Sequence, residues 1–368
     1  MNADGSVLLH RLAVEARGEI VTSHGTHRSR PLYVLSVEGP DRGFAEVVGL
    51  PVPAPGDPSI EEVVESLTSY VLPLLSERSF RRGFVGDPGS VRPSFNAERA
   101  TAFACHAVEA LLLDRWSRAT RADLHEQLGG REGVALRRTW FIDAGVQAAP
   151  QPGDRIRAKV DAGNLLERAR VLTEAYPEVE VALDANGCLA DLDAGQLREL
   201  LNPLVGHDHV VLEQPLAHQD LVGHAELRGR GLRVYLDESA VSLAAVRAIA
   251  RYEAADGVVL KPARLGGAIA TVQALEECRG LGLQAGVGGM LESELGRCVL
   301  RVLASHPGAT MAGDLGPSSD YLLDDPTATE GGEGDLGGFG VDPSAALVGA
   351  EQVAAFPVAL GDPAASTA

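Results

Sequence analysis

Five charged residues end five short apolar segments, and they recur every 24 to 29 positions along the middle of the chain. The segments are rich in β-branched residues, which is typical of strands buried on both faces. The repeat length fits one strand, one helix and two short loops. In a (β/α)₈ barrel the carboxyl ends of all strands open onto one mouth, so these charges would meet there. The five residues are Lys159, Asp184, Glu213, Asp237 and Lys261.

Three acids between two lysines predict a divalent cation flanked by two bases. Oxygen ligands without histidine or cysteine favour Mg²⁺, with Mn²⁺ as an alternative, over Zn²⁺. A lysine acts as a general base when its pKa falls towards ~7–8, and burial and a nearby cation both lower it. Such a site suits abstraction of a proton α to a carboxylate, because positive charge stabilises the enediolate that forms. Any one acid could instead be a helix N-cap, and any one lysine a surface ion-pair partner.

The surrounding elements predict an α/β protein, with an α+β capping domain over residues 1–130 and a modified (β/α)₈, TIM-like barrel over residues 131–326. Strand segments followed by amphipathic helices indicate the first domain. Eight strand segments, the last of them ATMAGD (309–314), indicate the barrel. Only about ten residues separate its first two strands, so the first barrel helix is predicted to be missing or reduced to a turn. The tail, residues 327–368, could pack back on the capping domain.

Composition excludes several classes of partner. The 368 residues carry a net charge of −19, which disfavours nucleic acid and anionic membranes. The four cysteines form no C-x-x-C pair, so neither structural zinc nor a disulfide framework is indicated. The sequence has no secretory signal and no apolar run long enough to span a membrane, and it predicts a cytoplasmic protein. The expected partner is a small-molecule carboxylate.

Short motifs along the barrel resemble the signatures of the enolase superfamily, and in particular its muconate-lactonizing subgroup. Within that subgroup the o-succinylbenzoate synthases and the N-acylamino acid racemases are most similar. In the first domain, TSHGT (22–26) followed by PLYVLSVEG (31–39) resembles the specificity loop and strand of the family's capping domain. The barrel motifs are LDANG (183–187), LEQPL (212–216), YLDES (235–239), LKPARLGG (260–267) and GGMLES (288–293).

The resemblance implies that the three acids bind Mg²⁺ and that the two lysines act as acid and base on opposite faces of the substrate. It also implies that Gly289 and Met290 border the substrate. Asn186 is expected to support the metal ligands, and Glu292 is expected to have a structural role in the loop after the seventh barrel strand. Because relatives are often oligomeric, the resemblance also predicts that this chain could form a homo-oligomer. The chain departs from the family pattern at Arg157, which replaces the first lysine of a K-x-K strand. Arginine keeps the positive charge near Lys159 but cannot serve as a base.

The predicted reaction is the dehydration that forms o-succinylbenzoate in menaquinone biosynthesis. Racemisation of N-acylamino acids or epimerisation of dipeptides is the alternative, because it needs the same two lysines. A non-catalytic descendant of the barrel is a third hypothesis, favoured by Arg157 and by the short first unit. Retention of five charged strand-end residues argues against it. A Schiff-base aldolase using Lys261 is disfavoured by the three neighbouring carboxylates.

Overall fold

The computed structural model describes residues 5–22, 25–37, 39, 42–77, 99–144, 149–328 and 338–358. Within these ranges the strands form one antiparallel and one parallel sheet. The strands are β1 (Gly5–Thr22), β2 (Gly25–Val37), β3 (Gly43–Val47), β4 (Thr139–Phe141), β5 (Arg155–Lys159), β6 (Glu180–Asp184), β7 (Val210–Glu213), β8 (Arg233–Leu236), β9 (Gly257–Leu260), β10 (Gln284–Val287) and β11 (Glu351–Val358).

The helices cover one face of the antiparallel sheet and the outside of the parallel sheet. A π-helical turn, Leu67–Val71, joins the first two of them. Among the described residues, no helix combines the length and the apolar character needed to cross a membrane. The α-helices are α1 (Ile60–Ser66), α2 (Leu72–Glu77), α3 (Arg99–Thr120), α4 (Leu124–Gln127), α5 (Leu165–Ala175), α6 (Ala194–Leu201), α7 (Leu221–Gly229), α8 (Leu243–Arg251), α9 (Pro262–Leu265), α10 (Ala268–Leu281), α11 (Glu294–Ala304) and α12 (Ser344–Leu347).

The antiparallel sheet has the strand order β11-β1-β2-β3, so the last described strand of the chain pairs with the first. Every residue of β3 is buried, and helices α1 and α3 pack against this strand. Ser59 begins α1 as part of a capping box in which Ser59 and Glu62 satisfy each other's backbone N–H groups. The loop before α1 thereby has a fixed end, and it reaches the mouth of the parallel sheet.

The parallel sheet has the order β4-β5-β6-β7-β8-β9-β10 and curls into a barrel, as predicted. All four residues of β7 (VVLE) and of β9 (GVVL) are buried, and the apolar residues that precede Glu213 and Lys261 agree with strands covered on both faces. The register places Lys159 opposite Asp184, and Asp184 opposite Glu213. Glu213 lies opposite Tyr235, so Asp237 follows on the same face two residues later. The predicted strand-end charges therefore lie at the same end of the sheet.

The predicted eighth strand, ATMAGD (309–314), is not a regular strand. The consecutive amides of Thr310 and Met311 both donate to the Ala285 carbonyl, which interrupts the alternation of a strand ladder. The segment still closes the barrel. Asp314 N donates to β10, and Gly313 exchanges hydrogen bonds with residues 137 and 139 beside β4.

The connection between β4 and β5 contains a 3₁₀ turn, Ile142–Ala144, and no α-helix in its described residues 142–144 and 149–154. This agrees with the prediction that the first barrel helix is missing or reduced. Residues 145–148 of this connection and residues 23–24 of the TSHGT motif lie outside the described ranges.

Candidate active site

Lys159 and Asn186 lie on one flank of the barrel mouth. Lys159 Nζ donates to Asp184 Oδ2 over 2.7 Å and also to Asn186 Oδ1. Asn186 has a positive φ of 42°, in the left-handed region that asparagine adopts more often than most residues. Its Nδ2 donates to Glu238 Oε1 over 3.0 Å, so one amide joins the lysine to a carboxyl of the next-but-one strand end. The sequence-predicted residues of this flank are therefore in direct contact.

Lys261 lies on the other flank, where it contacts Asp237. Lys261 Nζ is 2.8 Å from Asp237 Oδ2, and Arg264 Nη1 is 2.6 Å from Asp237 Oδ1. Arg264 also donates from Nε and Nη2 to both oxygens of Asp57, over 2.8 and 2.7 Å. Asp57 belongs to the loop before α1, so this arginine ties the N-terminal α+β unit to the barrel mouth.

Arg157 lies between the two flanks. Its Nη2 is 2.8 Å from Asp184 Oδ2, and its Nη1 is 2.8 Å from Glu213 Oε1. The Phe141 ring stacks near the guanidinium, with a distance of 4.8 Å from Cζ to the ring centroid. Arg157 was expected to keep positive charge near Lys159, and it does so while contacting two of the three predicted metal ligands.

The three buried acids differ in the direction in which their pKa values are shifted. Burial raises the pKa of Asp184, but Arg157 and Lys159 outweigh burial, so the pKa of that carboxyl is lowered. In the same way Arg264 and Lys261 outweigh burial and lower the pKa of Asp237. Glu213 differs, because burial outweighs the attraction of Arg157 and raises its pKa. Glu213 is thus the acid whose negative charge is least compensated by protein cations.

One observation supports a divalent cation at this site. Glu213 is fully buried, and its Oε2 has no hydrogen-bond partner, which is costly for a carboxylate unless a further positive charge binds it. The three carboxylates are hard oxygen donors on neighbouring strands. Within the described residues, however, no three aspartate, glutamate, histidine or cysteine side chains lie close enough to hold one ion as they stand. The Arg157 guanidinium fills the space between Asp184 and Glu213.

Several charged and polar side chains of the barrel mouth line one cavity next to these carboxylates. Arg157, Lys159, Asn186 and Lys261 form its polar floor. Its wall is largely apolar and comes from strand β4 and from loops of both sheets, with Leu50, Trp140, Phe141, Gly289 and Met290 among the lining residues. Such a cavity suits a small molecule with an anionic end and an apolar part.

Glu292 lies behind this wall and is buried. Its Oε1 accepts from the Met290 N–H over 2.7 Å, and Arg297 Nη1 is 3.7 Å from its Oε2. Burial raises the pKa of Glu292 to about 7, although Arg297 acts in the opposite direction. The carboxyl therefore holds the loop that carries Gly289 and Met290, and it does not line the cavity itself.

Sequence reasoning did not single out Asp57, Gln214 or Arg264. Gln214 has a φ of 42° and accepts at Oε1 from the backbone N–H groups of Asp237 and Ser239, which orients that strand end. Gln214 and Arg264 stand inside quoted motifs, one residue after Glu213 and three after Lys261, so adjacency to the charged residues was an available signal. No signal in the sequence pointed to Asp57, which is 207 positions from its partner.

Comparison with known proteins assigns the class of the chain. The family model described as Enolase C-terminal domain-like matches residues 145–346, more than half of the chain. The chain therefore belongs to this family of the enolase superfamily, and the resemblance found in the barrel motifs is confirmed.

The relatives are similar along most of their length. The chain is 29% identical over 317 residues to an N-succinylamino acid racemase of Thermus thermophilus, with 83% of each chain covered. It is 27% identical over 327 residues to an o-succinylbenzoate synthase of Geobacillus kaustophilus, covering 86% of this chain and 85% of that one. A solved member of the enolase superfamily from Listeria innocua covers 96% of this chain and 98% of its own at 19% identity, and its TM-score of 0.79 shows the shared fold.

Proposed function

We propose that this chain is an enzyme that abstracts a proton α to a carboxylate and works with a divalent cation, Mg²⁺ or alternatively Mn²⁺. The supporting observation is that Lys159 and Lys261 contact buried carboxylates on opposite flanks of one cavity. A substrate between them has an amine on either side of its α-carbon. Superfamily relatives named as a synthase and as a racemase are enzymes, and enolase-superfamily enzymes generally use a divalent metal.

The two lysines carry the proton transfers in this proposal. The neutral amine of one lysine takes the proton from the α-carbon, and the electron pair of the C–H bond moves towards the carboxylate oxygens. In a dehydration the same lysine then gives its proton to the departing hydroxyl group, which leaves as water. The other lysine remains an ammonium ion and stabilises the negative charge.

Asp184, Glu213 and Asp237 would hold the cation, which supplies positive charge beside the substrate carboxylate when it is bound. Asn186 orients Lys159 and the Asp184 strand end through its side-chain and backbone contacts. Gly289 and Met290 border the substrate, and Glu292 fixes their loop from behind. Removal of divalent cations with a chelator is therefore expected to abolish activity.

We infer that the particular reaction is dehydration of a cyclohexadiene carboxylate to o-succinylbenzoate, a step of menaquinone biosynthesis. Full-length similarity to the Geobacillus kaustophilus synthase supports it. The second candidate is racemisation of an N-acylamino acid. It is supported by the Thermus thermophilus racemase and by the paired lysines, because one can remove the proton from one face while the other returns a proton to the opposite face.

Turnover of both substrates with Mg²⁺ tests the proposal. Loss of the diene absorbance together with formation of o-succinylbenzoate supports the synthase. If deuterium enters the α-position of an N-succinylamino acid and no dehydration is detected, the racemase assignment is correct and the synthase assignment is wrong. If a broad panel of carboxylates shows neither reaction, the non-catalytic hypothesis is favoured.

A further inference from the structure

Arg157 binds two of the proposed metal ligands at once. One arm of its guanidinium is 2.8 Å from Asp184 Oδ2, and the other is 2.8 Å from Glu213 Oε1. Both carboxylates are completely buried, whereas the arginine side chain keeps 12% exposure at the cavity floor. Arg157 thus lines the cavity, whereas neither of the two carboxylates does.

The three proposed ligands already contact four cationic side chains. Lys159 and Arg157 meet Asp184, while Lys261 and Arg264 meet Asp237. A divalent cation entering this cluster is repelled by all four, and the repulsion is strong at short range in a buried site. Arg157 is the one among them that spans the gap between two ligands.

The arginine satisfies Glu213 incompletely. Despite the short distance, neither oxygen of Glu213 has a hydrogen-bond partner. Arg157 Nε is also buried without a hydrogen-bond partner. A pairing in which both groups are left partly unsatisfied is open to exchange for a better partner.

We propose that Arg157 is an internal cation that competes with the divalent metal for Asp184 and Glu213, so that metal binds only when the guanidinium moves away from them. This rests on the metal site of the proposed function. The planar fork of arginine reaches both carboxylates together, whereas a lysine is a single point charge that contacts one of them. An arginine at this position therefore weakens metal binding more than a lysine does.

Equilibrium binding of Mn²⁺, followed by the electron paramagnetic resonance signal of the free ion, tests the competition without measuring turnover. Arg157→Lys is expected to bind Mn²⁺ about tenfold or more tightly than wild type, which corresponds to about 1.4 kcal/mol. Arg157→Gln, which removes the charge, is expected to bind at least as tightly as Arg157→Lys. Arg247→Lys is the control, because Arg247 pairs with Glu277 on the exposed surface away from the carboxylates, and it should keep the wild-type affinity.

Thermal unfolding gives an independent readout. Without metal, Arg157→Gln should unfold at a lower temperature than wild type, because its buried carboxylates have lost a cation. Addition of Mg²⁺ should then raise its unfolding temperature by more than it raises that of wild type.

The outcomes separate this inference from the proposed function. Equal, measurable Mn²⁺ affinity in wild type and both Arg157 variants overturns the competition and leaves the proposed metal site standing. Absence of binding in wild type together with binding in the variants supports the competition in its strongest form. Absence of binding in all of these proteins contradicts the proposed metal site and the competition with it.

Discussion

Asp57 and Arg264 form a two-pronged ion pair that joins the loop before α1 to the barrel mouth. Nε and Nη2 of the arginine are 2.8 and 2.7 Å from the two aspartate oxygens, and both side chains are only 1% exposed. Because the third nitrogen of Arg264 contacts Asp237, the position of the loop is coupled to the position of a proposed metal ligand.

Asp57→Ala is predicted to destabilise the protein by about 3–5 kcal/mol, since it removes two of the three hydrogen bonds that the buried Arg264 donates to carboxylates. Urea unfolding at neutral pH measures the change. Glu277→Ala is the control, because Glu277 pairs with Arg247 on the exposed surface and its loss should change stability little. Equal stability of Asp57→Ala and Glu277→Ala would show that the Asp57 pair does not hold the two units together.

Glu292 gives the protein a pH-dependent stability. Its folded pKa of about 7 lies above its usual value of 4.5, so its favourable state is the protonated one. That stability is complete below pH 4.5 and is lost as the pH rises through 7, by up to about 3 kcal/mol. Urea midpoints between pH 5 and pH 8 should therefore fall more steeply for wild type than for Glu292→Gln. Parallel pH profiles would refute this assignment.

Gly289→Ala tests how closely the cavity wall is packed. A Cβ at this position would lie 2.6 Å from Glu292 Oε2 and 2.9 Å from Leu300 Cδ1, so the loop or the carboxyl must move. We expect a loss of about 1–3 kcal/mol in stability and a decrease in kcat/KM. In Gly280→Ala the new methyl group meets no atom within 4 Å and lies in α10, so that control should gain up to about 1 kcal/mol with unchanged kinetics. A Gly289→Ala enzyme that matches this control would contradict the packing argument.

The charged mouth was predictable from the sequence because strand register follows from a regular repeat. Lys159, Asp184 and Glu213 end consecutive buried strands, and paired parallel strands bring their ends to one edge. The irregular closure at 309–314 was not predictable, because an apolar segment does not reveal where consecutive amides share one carbonyl. The direction of the Arg157 side chain was equally hidden. Its residue type predicts a positive charge but not which carboxylates the fork reaches.

Lys159 and Lys261 are proposed to move the α-proton of a carboxylate together. Proton NMR in D₂O with Mg²⁺ follows both candidate substrates at once, through loss of the diene signals and through deuterium exchange at the α-carbon of an N-succinylamino acid. Wild type is predicted to convert at least one of them, and Lys159→Ala and Lys261→Ala are each predicted to lower that rate by about 10²–10⁴-fold. Wild-type rates in either alanine variant would contradict the claim.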